Sequence, residues 1–533
     1  MEKLEIGVNR RRVFIVFFIF LLICLLGLPC IASAASSGDF EYAVVSGGEA
    51  MITDYTGTSD VVNIPASLDG YPVTIIGSYA FENNDTITEI NMPDTVLTLQ
   101  TFAMGNCDSL ANVTLSASLI TIGDYAFCND YVLGSQVLPD TLETIGDRAF
   151  KDCHEMASIT FGNNLQSIGE AAFNYCYALT NVTLPEGLTY IKYAGFAGCT
   201  GLEEITLPNS LTHIEANAFY DNWKLQTVNF GNSLQVIGNS AFCFCYVLND
   251  LTLPDSLLTI NPYAFFRCDS LTHIEIPDQV SVIGYDAFKS CNMLGSVTLP
   301  SAITAIETET FYECSRLQSI DIPDGVTAIG SKAFYGCTNL TAINVGAANT
   351  AYSSDRGVLL TKDGGTLQCY PGGKTDSTYI IPSTVTRIEN FSFSNSRIQS
   401  IDIPDDVSYV GKYAFFQCEN LTEITMADSV TTLGTYSMAR CPNLQDVTIS
   451  SGLQSLTDYV FDETGLVDVV IPEGVESIGD STFASCPELN TVQIPRSVTA
   501  INSWAFSGSY GVTLLVYSGS FGHTYAIDNG IPF

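Results

Sequence analysis

The chain has 533 residues, of which 46% are hydrophobic and only 14% are charged, so it has the apolar material for an extensive folded core and is not a disordered chain. Acidic residues outnumber basic ones by 57 to 20, which gives a formal net charge of -37. A surface this acidic repels polyanions, and DNA and RNA are therefore excluded as expected partners.

The first predicted element is an export signal over residues 1–34. Basic residues, Lys3 among them, precede an apolar run over residues 13–28, and Ala32-Ser33-Ala34 supplies the small residues that a signal peptidase reads. The run is shorter than the roughly 20 residues that span a bilayer, so we expect cleavage near Ala34 rather than a retained anchor. The mature chain is expected to be secreted or held at the cell surface, without membrane insertion.

The rest of the chain is a repeat, typified by Leu271 to Cys291, LTHIEIPDQVSVIGYDAFKSC. Each copy contains a large apolar residue after a small one, here Phe288, which we call the anchor. Anchors recur every 23 residues from position 81 to position 334, and every 22 or 23 residues from position 393 to position 506. This period predicts a solenoid of about eighteen stacked coils of 22 or 23 residues. Sixteen anchors are Phe and two are Met, as expected for a buried spine.

Within one repeat, Ile274 and Ile276 alternate with exposed positions at the period of a β-strand, and Pro277 then ends the strand. Residues 286–288 have the pattern of one helical turn. No copy can bury its apolar face alone, so neighbouring copies are expected to stack. The predicted fold is an α/β repeat solenoid, rich in β-structure, with single helical turns and a parallel β-sheet on the concave face.

A column of small polar residues lies three positions after the anchors, and twelve of the seventeen cysteines belong to it. Where Cys is missing, the column takes residues such as Asn84, Asp130 or Ser509, which predicts a side chain that hydrogen-bonds to backbone in each coil. Disulfides between adjacent coils are the alternative, but parallel Cβ vectors would strain them, so free buried thiols are favoured. The column has no Cys-x-x-Cys motif, and we expect no metal.

The consensus L-x-x-I-x-I-P-x-x-V-x-x-I-G-x-x-A-F-x-x-C, from about Val73 to Cys486, resembles the BspA-like class of leucine-rich repeats, also called leucine-rich repeat family 5. The resemblance implies a surface or extracellular microbial protein, adhesion to host or matrix proteins, and no enzymatic activity. It also implies an N-terminal cap over 35–72, repeat blocks over 73–345 and 381–510, a hairpin insertion over 346–380, and a C-terminal cap over 511–533.

Motifs for chemistry are weak in this sequence. Gly372-Gly373-Lys374-Thr375 looks like the end of a phosphate-binding loop, but the glycine required four residues earlier is Gln368. The four histidines occupy different repeat positions or the cap, so no pair has the spacing of metal ligands or of a catalytic base. The sequence therefore predicts no enzyme, no catalytic residue and no cofactor.

The outward residues of the predicted sheet form the expected ligand-binding surface. Two columns flank the buried strand residue, and neither contains Lys, Arg or an aromatic ring. This polar surface suits a basic protein segment or a hydroxyl-rich ligand. Its acidic members are the predicted ligand-binding residues: Glu89, Glu204, Asp250, Glu275, Asp321, Asp402, Glu423, Asp446 and Asp468.

We therefore predict an exported, monomeric, adhesin-like protein that binds an extracellular or host protein or a glycan. The alternative is a structural repeat scaffold, or a spacer at the cell surface, without a specific ligand. Regular threonines in the second column are compatible with either hypothesis, because strand preference alone explains them.

Overall fold

The computed structural model describes residues 32–533, with side chains from residue 34 onward. The predicted export signal lies outside the described residues except for its last three positions. The chain divides into two compact units, Met1–Asn222 and Trp223–Phe533, and the described part of each is a β-solenoid of stacked coils. Among the described residues, no helix has the length and apolarity needed to cross a membrane.

Each coil contributes up to two short strands. The first strand is the one that ends before the proline turn in the typical repeat, and the second strand follows that turn. In both units, equivalent strands of successive coils pair in parallel with an offset of one repeat, as Ile274 with Val297 and Ile283 with Ile260. The predicted parallel pairing and the predicted solenoid class are confirmed.

The first unit begins with antiparallel strands and continues into parallel ones. Its cap strands are Ala32–Ser37, Phe40–Val45, Glu49–Tyr55, Ser67–Leu68 and Tyr71–Ile76. Its first strands are Val61–Asn63, Glu89–Asn91, Asn112–Thr114, Gln136–Val137, Ile159–Thr160, Asn181–Thr183 and Glu204–Thr206. Its second strands are Thr98–Leu99, Thr121–Ile122, Thr144–Ile145, Ser167–Ile168, Tyr190–Ile191 and His213–Ile214.

The second unit repeats this plan over more coils. Its first strands are Thr227–Asn229, His273–Glu275, Ser296–Thr298, Ser319–Ile322, Ala342–Val345, Ser400–Ile403, Glu423–Met426, Asp446–Thr448, Asp468–Val470, Thr491–Gln493 and Thr513–Leu515. Its second strands are Val236–Ile237, Thr259–Ile260, Val282–Ile283, Ala305–Ile306, Ala328–Ile329, Arg387–Ile388, Tyr409–Val410, Thr432–Leu433, Ser455–Leu456, Ser477–Ile478 and Ala500–Ile501.

The C-terminal end of the second unit carries the only helix among the described residues, Phe521–Asn529. Ser520 caps its N-terminus by accepting the His523 N–H, and Gly530 ends it in the left-handed conformation at φ 66°. Tyr525 and Ala526 of this helix are buried, so the helix covers the last coil of the core.

The predicted helical turn around the anchor is not a helix, and this part of the prediction is wrong. Asp286 and Ser290, two residues before and after the anchor Phe288, have φ values of 55° and 57°. The Phe288 N–H donates to Thr310 of the next coil at 3.0 Å instead of to its own coil. Left-handed residues at both ends interrupt a helix, and the turn instead forms a third ladder of hydrogen bonds between coils.

The anchors form the buried spine that the sequence predicts. In the second unit, Phe288 is fully buried and its ring stacks between Phe265 and Phe311, with centroid distances of 5.4 and 5.7 Å. In the first unit, Tyr55 of the cap stacks on Phe81 at 5.4 Å and so begins the spine there. Stacked rings of equivalent residues therefore hold successive coils together in each unit.

The small polar column behaves as its composition predicts. The Cys291 thiol donates to the Phe265 carbonyl at 3.1 Å, which is the anchor carbonyl of the preceding coil. The Ser509 hydroxyl makes the equivalent bond to Phe483 at 2.7 Å. The predicted hydrogen bond to backbone is therefore confirmed, and every cysteine of the described residues is a free thiol.

The segment between the two repeat blocks contains three antiparallel strands, Tyr352–Asp355, Val358–Thr361 and Thr366–Cys369. The third pairs in parallel with Arg387–Ile388 and leads into Tyr370. Tyr370 stacks on the anchor Phe393 at 5.0 Å, and its N–H donates to Ser392, as an anchor does. The segment thus inserts one further coil into the second unit, with Tyr370 as its anchor.

Candidate ligand-binding surface

The first strands expose the residues on both sides of their buried central residue. Ile274 is fully buried, whereas His273 and Glu275 beside it are exposed, because successive side chains of a strand point to opposite faces. We call these exposed flanking residues the floor, and we describe the floor of each unit separately. Neither flanking column contains Lys or Arg.

The floor of the second unit brings several predicted residues together. Glu423 and Asp446 are direct partners in the register of two neighbouring strands, and Asp468 opens the first strand of the next coil. Asp402 lies on the other flank and pairs with Thr425. Neighbouring strands are about 4.8 Å apart, and like charges placed directly opposite one another repel. These four carboxylates are therefore a concentrated negative patch.

Hydrogen bonds within the floor order some of these carboxylates. Asp468 accepts from the Thr491 hydroxyl at 2.5 Å and from the Asn490 amide at 3.1 Å. Asp321 accepts from the Asn344 amide at 2.8 Å. Such bonds position a carboxylate without neutralising its charge.

Cations of the second unit are engaged away from the floor. Lys289 bridges Asp286 and Glu309 in the turns, and Arg440 lies 3.5 Å from Glu463. The pKa of Lys289 lies above its usual value because its bonds to Glu309 and Asp286 outweigh the opposing effect of burial. Within the described residues, no ion pair involves Asp402, Glu423, Asp446 or Asp468. Their charge is available to a ligand.

Asp250 does not occupy the predicted strand position. No first strand is formed between Thr227–Asn229 and His273–Glu275 in the described chain, and Asp250 has a left-handed φ of 50°. The Asn249 side chain accepts the Asp250 N–H at 2.8 Å. This N–H therefore cannot donate to the backbone of a neighbouring first strand. Asp250 is exposed but lies outside the floor strands, whereas Glu275 occupies the position that the sequence predicts.

The floor of the first unit holds Glu89 and Glu204 in separate places. Glu89 accepts from the Asn91 amide at 2.8 Å and lies in register with Asn112. Glu204 is exposed at the start of its strand, in register with Asn181. The first unit therefore offers isolated carboxylates among amides, rather than the cluster found in the second unit.

Within residues 32–533, the motifs that the sequence singles out form neither a metal site nor a phosphate-binding loop. No group of three or more His, Cys, Asp or Glu side chains within residues 32–533 has the arrangement needed to hold a metal ion. Lys374 of the phosphate-loop-like segment donates to the Arg356 carbonyl at 2.9 Å and pairs with Asp376 at 3.2 Å. The Gly373 N–H donates to Leu340, so this segment fastens the insertion to the preceding coil.

Comparisons with known proteins agree with this architecture. The model of the BspA type leucine-rich repeat region matches residues 62–178, 121–249, 235–355 and 378–513. A crystal structure of a leucine-rich repeat protein from Bacteroides ovatus is 25% identical, with 81% of this chain and 94% of that chain covered and a TM-score of 0.53. No curated protein matches the chain.

Two further solved structures are similar to the chain in sequence. A leucine-rich cell surface protein from Faecalibacterium prausnitzii is 27% identical, with 93% of this chain and 98% of that chain covered and a TM-score of 0.46. A leucine-rich repeat protein from Eubacterium ventriosum is 22% identical, with 64% and 85% covered and a TM-score of 0.41. Because the family model matches most of the repeat region, the chain belongs to the BspA-type leucine-rich repeat family.

Proposed function

We propose that the protein is an exported, non-enzymatic repeat scaffold whose second-unit floor binds a basic segment of an extracellular protein. The observation that carries the proposal is the register of Glu423 with Asp446, followed by Asp468 one coil further on, without a cation in either flanking column. A glycan that presents hydroxyl groups to the same carboxylates and threonines is the related possibility within this proposal.

Electrostatics favour a cationic partner at this surface. Carboxylates stacked at the spacing of neighbouring strands raise one another's energy, and a ligand that brings Lys or Arg side chains relieves this repulsion. An extended peptide places every second side chain on one face, roughly 6.6 Å apart, and its long Lys or Arg side chains can adjust to the spacing of about 4.8 Å between successive coils. Binding through exposed charges is expected to weaken as ionic strength rises.

A binding assay with matched charge variants tests the proposal. The probe is a decalysine peptide, together with a panel of extracellular matrix proteins and a glycan array, applied to residues 35–533. The test variant replaces Asp402, Glu423, Asp446 and Asp468 with the corresponding amides. Its expected result is a loss of affinity of at least tenfold for the peptide and for any matrix protein that binds.

The control variant removes the same charge from exposed carboxylates outside the floor of the second unit, namely Asp405, Asp406, Glu473 and Glu488. It is expected to keep most of the affinity for decalysine. Equal loss in both variants would mean that net charge alone drives binding, and this result would rule out the floor as a specific site.

The structural spacer remains the second candidate, because threonines occupy equivalent floor positions, as Thr425 with Thr448. Threonine suits a strand without any ligand. A protein with no saturable binding to any probe, which instead self-associates into ordered assemblies, would favour the spacer over the adhesin-like protein.

Export to the cell surface or medium is part of the proposal. N-terminal sequencing of the protein recovered from outside the producing cell is expected to begin at Ala35. Recovery of the chain only inside the cell, starting at Met1, would contradict this expectation.

A further inference from the structure

The turn ladder, which is the ladder of hydrogen bonds between successive turns, is interrupted beside the inserted coil of the second unit. In a complete part of the ladder the Phe311 N–H donates to Ala333 of the next coil at 3.0 Å, and the residues two before and two after Phe311 donate in the same way. In the next coil the equivalent donors are the N–H groups of Lys332, Phe334 and Gly336. Within the described residues, none of these three N–H groups donates to an acceptor.

A shortened turn explains the interruption. In a typical coil the anchor lies five positions after the last residue of the second strand, as Phe393 does after Ile388. Leu367 is the register partner of Ile388, yet its anchor Tyr370 follows only three positions later. The turn of the inserted coil is thus two residues shorter, and it supplies no carbonyl to the three free donors.

The turn of the following coil has acceptors without donors. Its Ser392 carbonyl accepts the Tyr370 N–H at 2.7 Å, as in a complete ladder. The carbonyls of Asn390 and Ser394 occupy the two other acceptor positions of this turn, and in the described chain no N–H group donates to them. The gap therefore has three free donors on one side and two free acceptors on the other.

A cavity of about 240 Å³ occupies this gap, and its wall includes all five residues with a free backbone group. The wall also includes Gly336 and Cys369, which are partly exposed, so solvent reaches it. Phe334 is 7% exposed, whereas Phe311 in the coil before it is fully buried. At about 30 Å³ for each water molecule, the cavity has room for about eight water-sized groups, which equals the backbone heavy atoms of about two residues.

The two charged side chains of the wall already have protein partners. Glu389 lies 2.9 Å from Arg387, and Lys332 lies 3.5 Å from Glu309. An anion would suit the donor side of the gap but would be repelled by the carbonyl oxygens on the other side. A peptide group is neutral and carries both an N–H donor and a C=O acceptor, so it suits both sides.

We propose that this cavity binds an extended segment of a partner polypeptide, with small side chains such as those of Gly, Ala and Ser. Its carbonyls accept from at least two of the free N–H groups of Lys332, Phe334 and Gly336, and its own N–H groups donate to the carbonyls across the gap. The segment completes the turn ladder, much as a peptide in other complexes adds a strand to a sheet edge. The site is independent of the proposed function of the floor, since none of its residues belongs to the floor columns.

Amide hydrogen exchange on residues 35–533 tests whether a peptide reaches these donors. The probe is acetyl-(Gly-Ala)2-amide, with acetyl-(Gly-Leu)2-amide as the peptide of larger side chains and sodium acetate as the anion. The small peptide is expected to slow exchange of the Phe334 and Gly336 N–H groups at least tenfold. Exchange of the Phe311 N–H, which is already bonded to Ala333, is the internal control and is expected to stay unchanged.

Exchange that stays unchanged at all three free donors in excess peptide overturns the proposal. Stronger protection by acetate than by the peptide would also overturn it, because it would show that the gap selects an anion. Stronger protection by the leucine peptide would overturn the selection for small side chains.

Cys369 provides a way to block the cavity in the folded protein. It is the only cysteine of the described residues that is not fully buried, although burial still raises its pKa to about 12, so excess iodoacetamide is needed. The alkylated protein is expected to lose peptide binding. The matched control is Cys369→Ser treated with the same reagent, which is expected to keep the wild-type affinity.

Peptide mapping confirms that Cys369 alone carries the label. A peptide that binds the labelled protein as tightly as the unlabelled one overturns the assignment to this cavity. A crystal structure grown with the small peptide that shows only water between the Phe334 and Phe393 turns also overturns it.

Discussion

Left-handed backbone conformations recur at two positions of nearly every coil. Outside these two columns, only three non-glycine residues of the described chain have positive φ, namely Asp69, Asp250 and Arg356. Such conformations cost about 1–3 kcal/mol each, and they persist only where the surrounding structure imposes them. Here the turn ladder imposes them, because alternate N–H groups of each turn must point to the next coil.

Ser485 offers a test of this strain. It is exposed, has a φ of 53°, and occupies a column in which other coils carry Gly198, Gly336 and Gly508. We expect Ser485→Gly to increase the free energy of unfolding by about 0.5–1 kcal/mol, as measured by urea denaturation, since relief of strain exceeds the entropy that glycine adds to the unfolded chain. Ser507→Gly, at a position without positive φ, is expected to decrease it.

Asp130 is a buried carboxyl in the column that elsewhere holds cysteine. Its Oδ1 accepts the Cys107 N–H at 2.8 Å, whereas its Oδ2 has no partner. Burial raises the pKa of Asp130 well above its usual value. In other coils the side chain at this column position donates to the preceding anchor carbonyl, as Ser509 does to Phe483. A protonated carboxyl can donate in this way, whereas an ionised one can only accept.

Asp130→Asn is therefore expected to stabilise the protein at pH 7, by about 1–3 kcal/mol, because its amide supplies the donor that the carboxylate lacks. The raised pKa means that the folded state holds the proton more tightly than the unfolded state does. The contribution of Asp130 to wild-type stability thus falls as pH rises above the unfolded pKa near 4. Thermal melting at pH 4 and pH 7 checks this, and an equal gain at both pH values would contradict it.

At the scale of the coil, stacked anchors of the spine pack neighbouring coils against each other. Phe288 contacts the anchors of the coils before and after it, so removing its ring opens a cavity at two interfaces at once. In a repeat protein the stability is nearly a sum of coil terms and interface terms, and such a loss is felt locally.

Phe288→Ala is expected to lower the free energy of unfolding by about 3–5 kcal/mol, since Phe288 is fully buried between two stacked rings. Phe288→Met is expected to cost less than about 1.5 kcal/mol, because methionine fills irregular space and already serves as the anchor at Met104 and Met438. Denaturant unfolding of both variants provides the measurement. Equal losses would show that ring stacking, rather than filled volume, stabilises the spine.

The sequence predicts these elements wherever one residue type repeats at one spacing. Phe anchors and the cysteine column are visible for that reason, and the floor carboxylates follow from the strand period. Tyr370 is missed as an anchor although it precedes Phe393 by exactly one repeat of 23, because no Ala precedes it and no Cys follows it. The left-handed columns are missed because Tyr, Ser, Asp, Arg and Glu share them, so backbone geometry leaves no compositional signal.

The candidate site also has parts that the repeat period predicts and parts that it does not. The position of Glu423 beside Asp446 follows from the period alone, whereas the failure of the strand at Asp250 depends on a hydrogen bond from its own N–H to the Asn249 side chain. A local bond between a side chain and the backbone, such as that of Asn249 with Asp250, is a feature that periodicity cannot predict.

At the scale of the whole molecule, charge is the dominant feature. The chain has a formal net charge of -37, with 57 acidic residues against 20 basic ones. Exposed like charges repel over about 30 Å at 0.01 M salt but only about 10 Å at 0.1 M. Self-repulsion therefore destabilises the folded state most at low ionic strength.

We expect the melting temperature to rise by several degrees between 0.01 and 0.1 M sodium chloride at pH 7, because screening weakens this repulsion. The variant that lacks the four floor carboxylates is expected to show a smaller rise. A melting temperature that falls with added salt would instead show that attractive ion pairs, such as Lys289 with Glu309, outweigh the repulsion.

The buried cysteines of the thiol column can report the local opening of individual coils. Twelve of its cysteines are buried, one to a coil, and each Sγ–H is confined beside the backbone. Burial raises the pKa of Cys314 and its neighbours, so neither access nor ionisation permits rapid alkylation while a coil is closed. The rate at which each cysteine is alkylated then reports how often its own coil opens, and peptide mapping of the labelled sites would resolve breathing motions coil by coil along the chain.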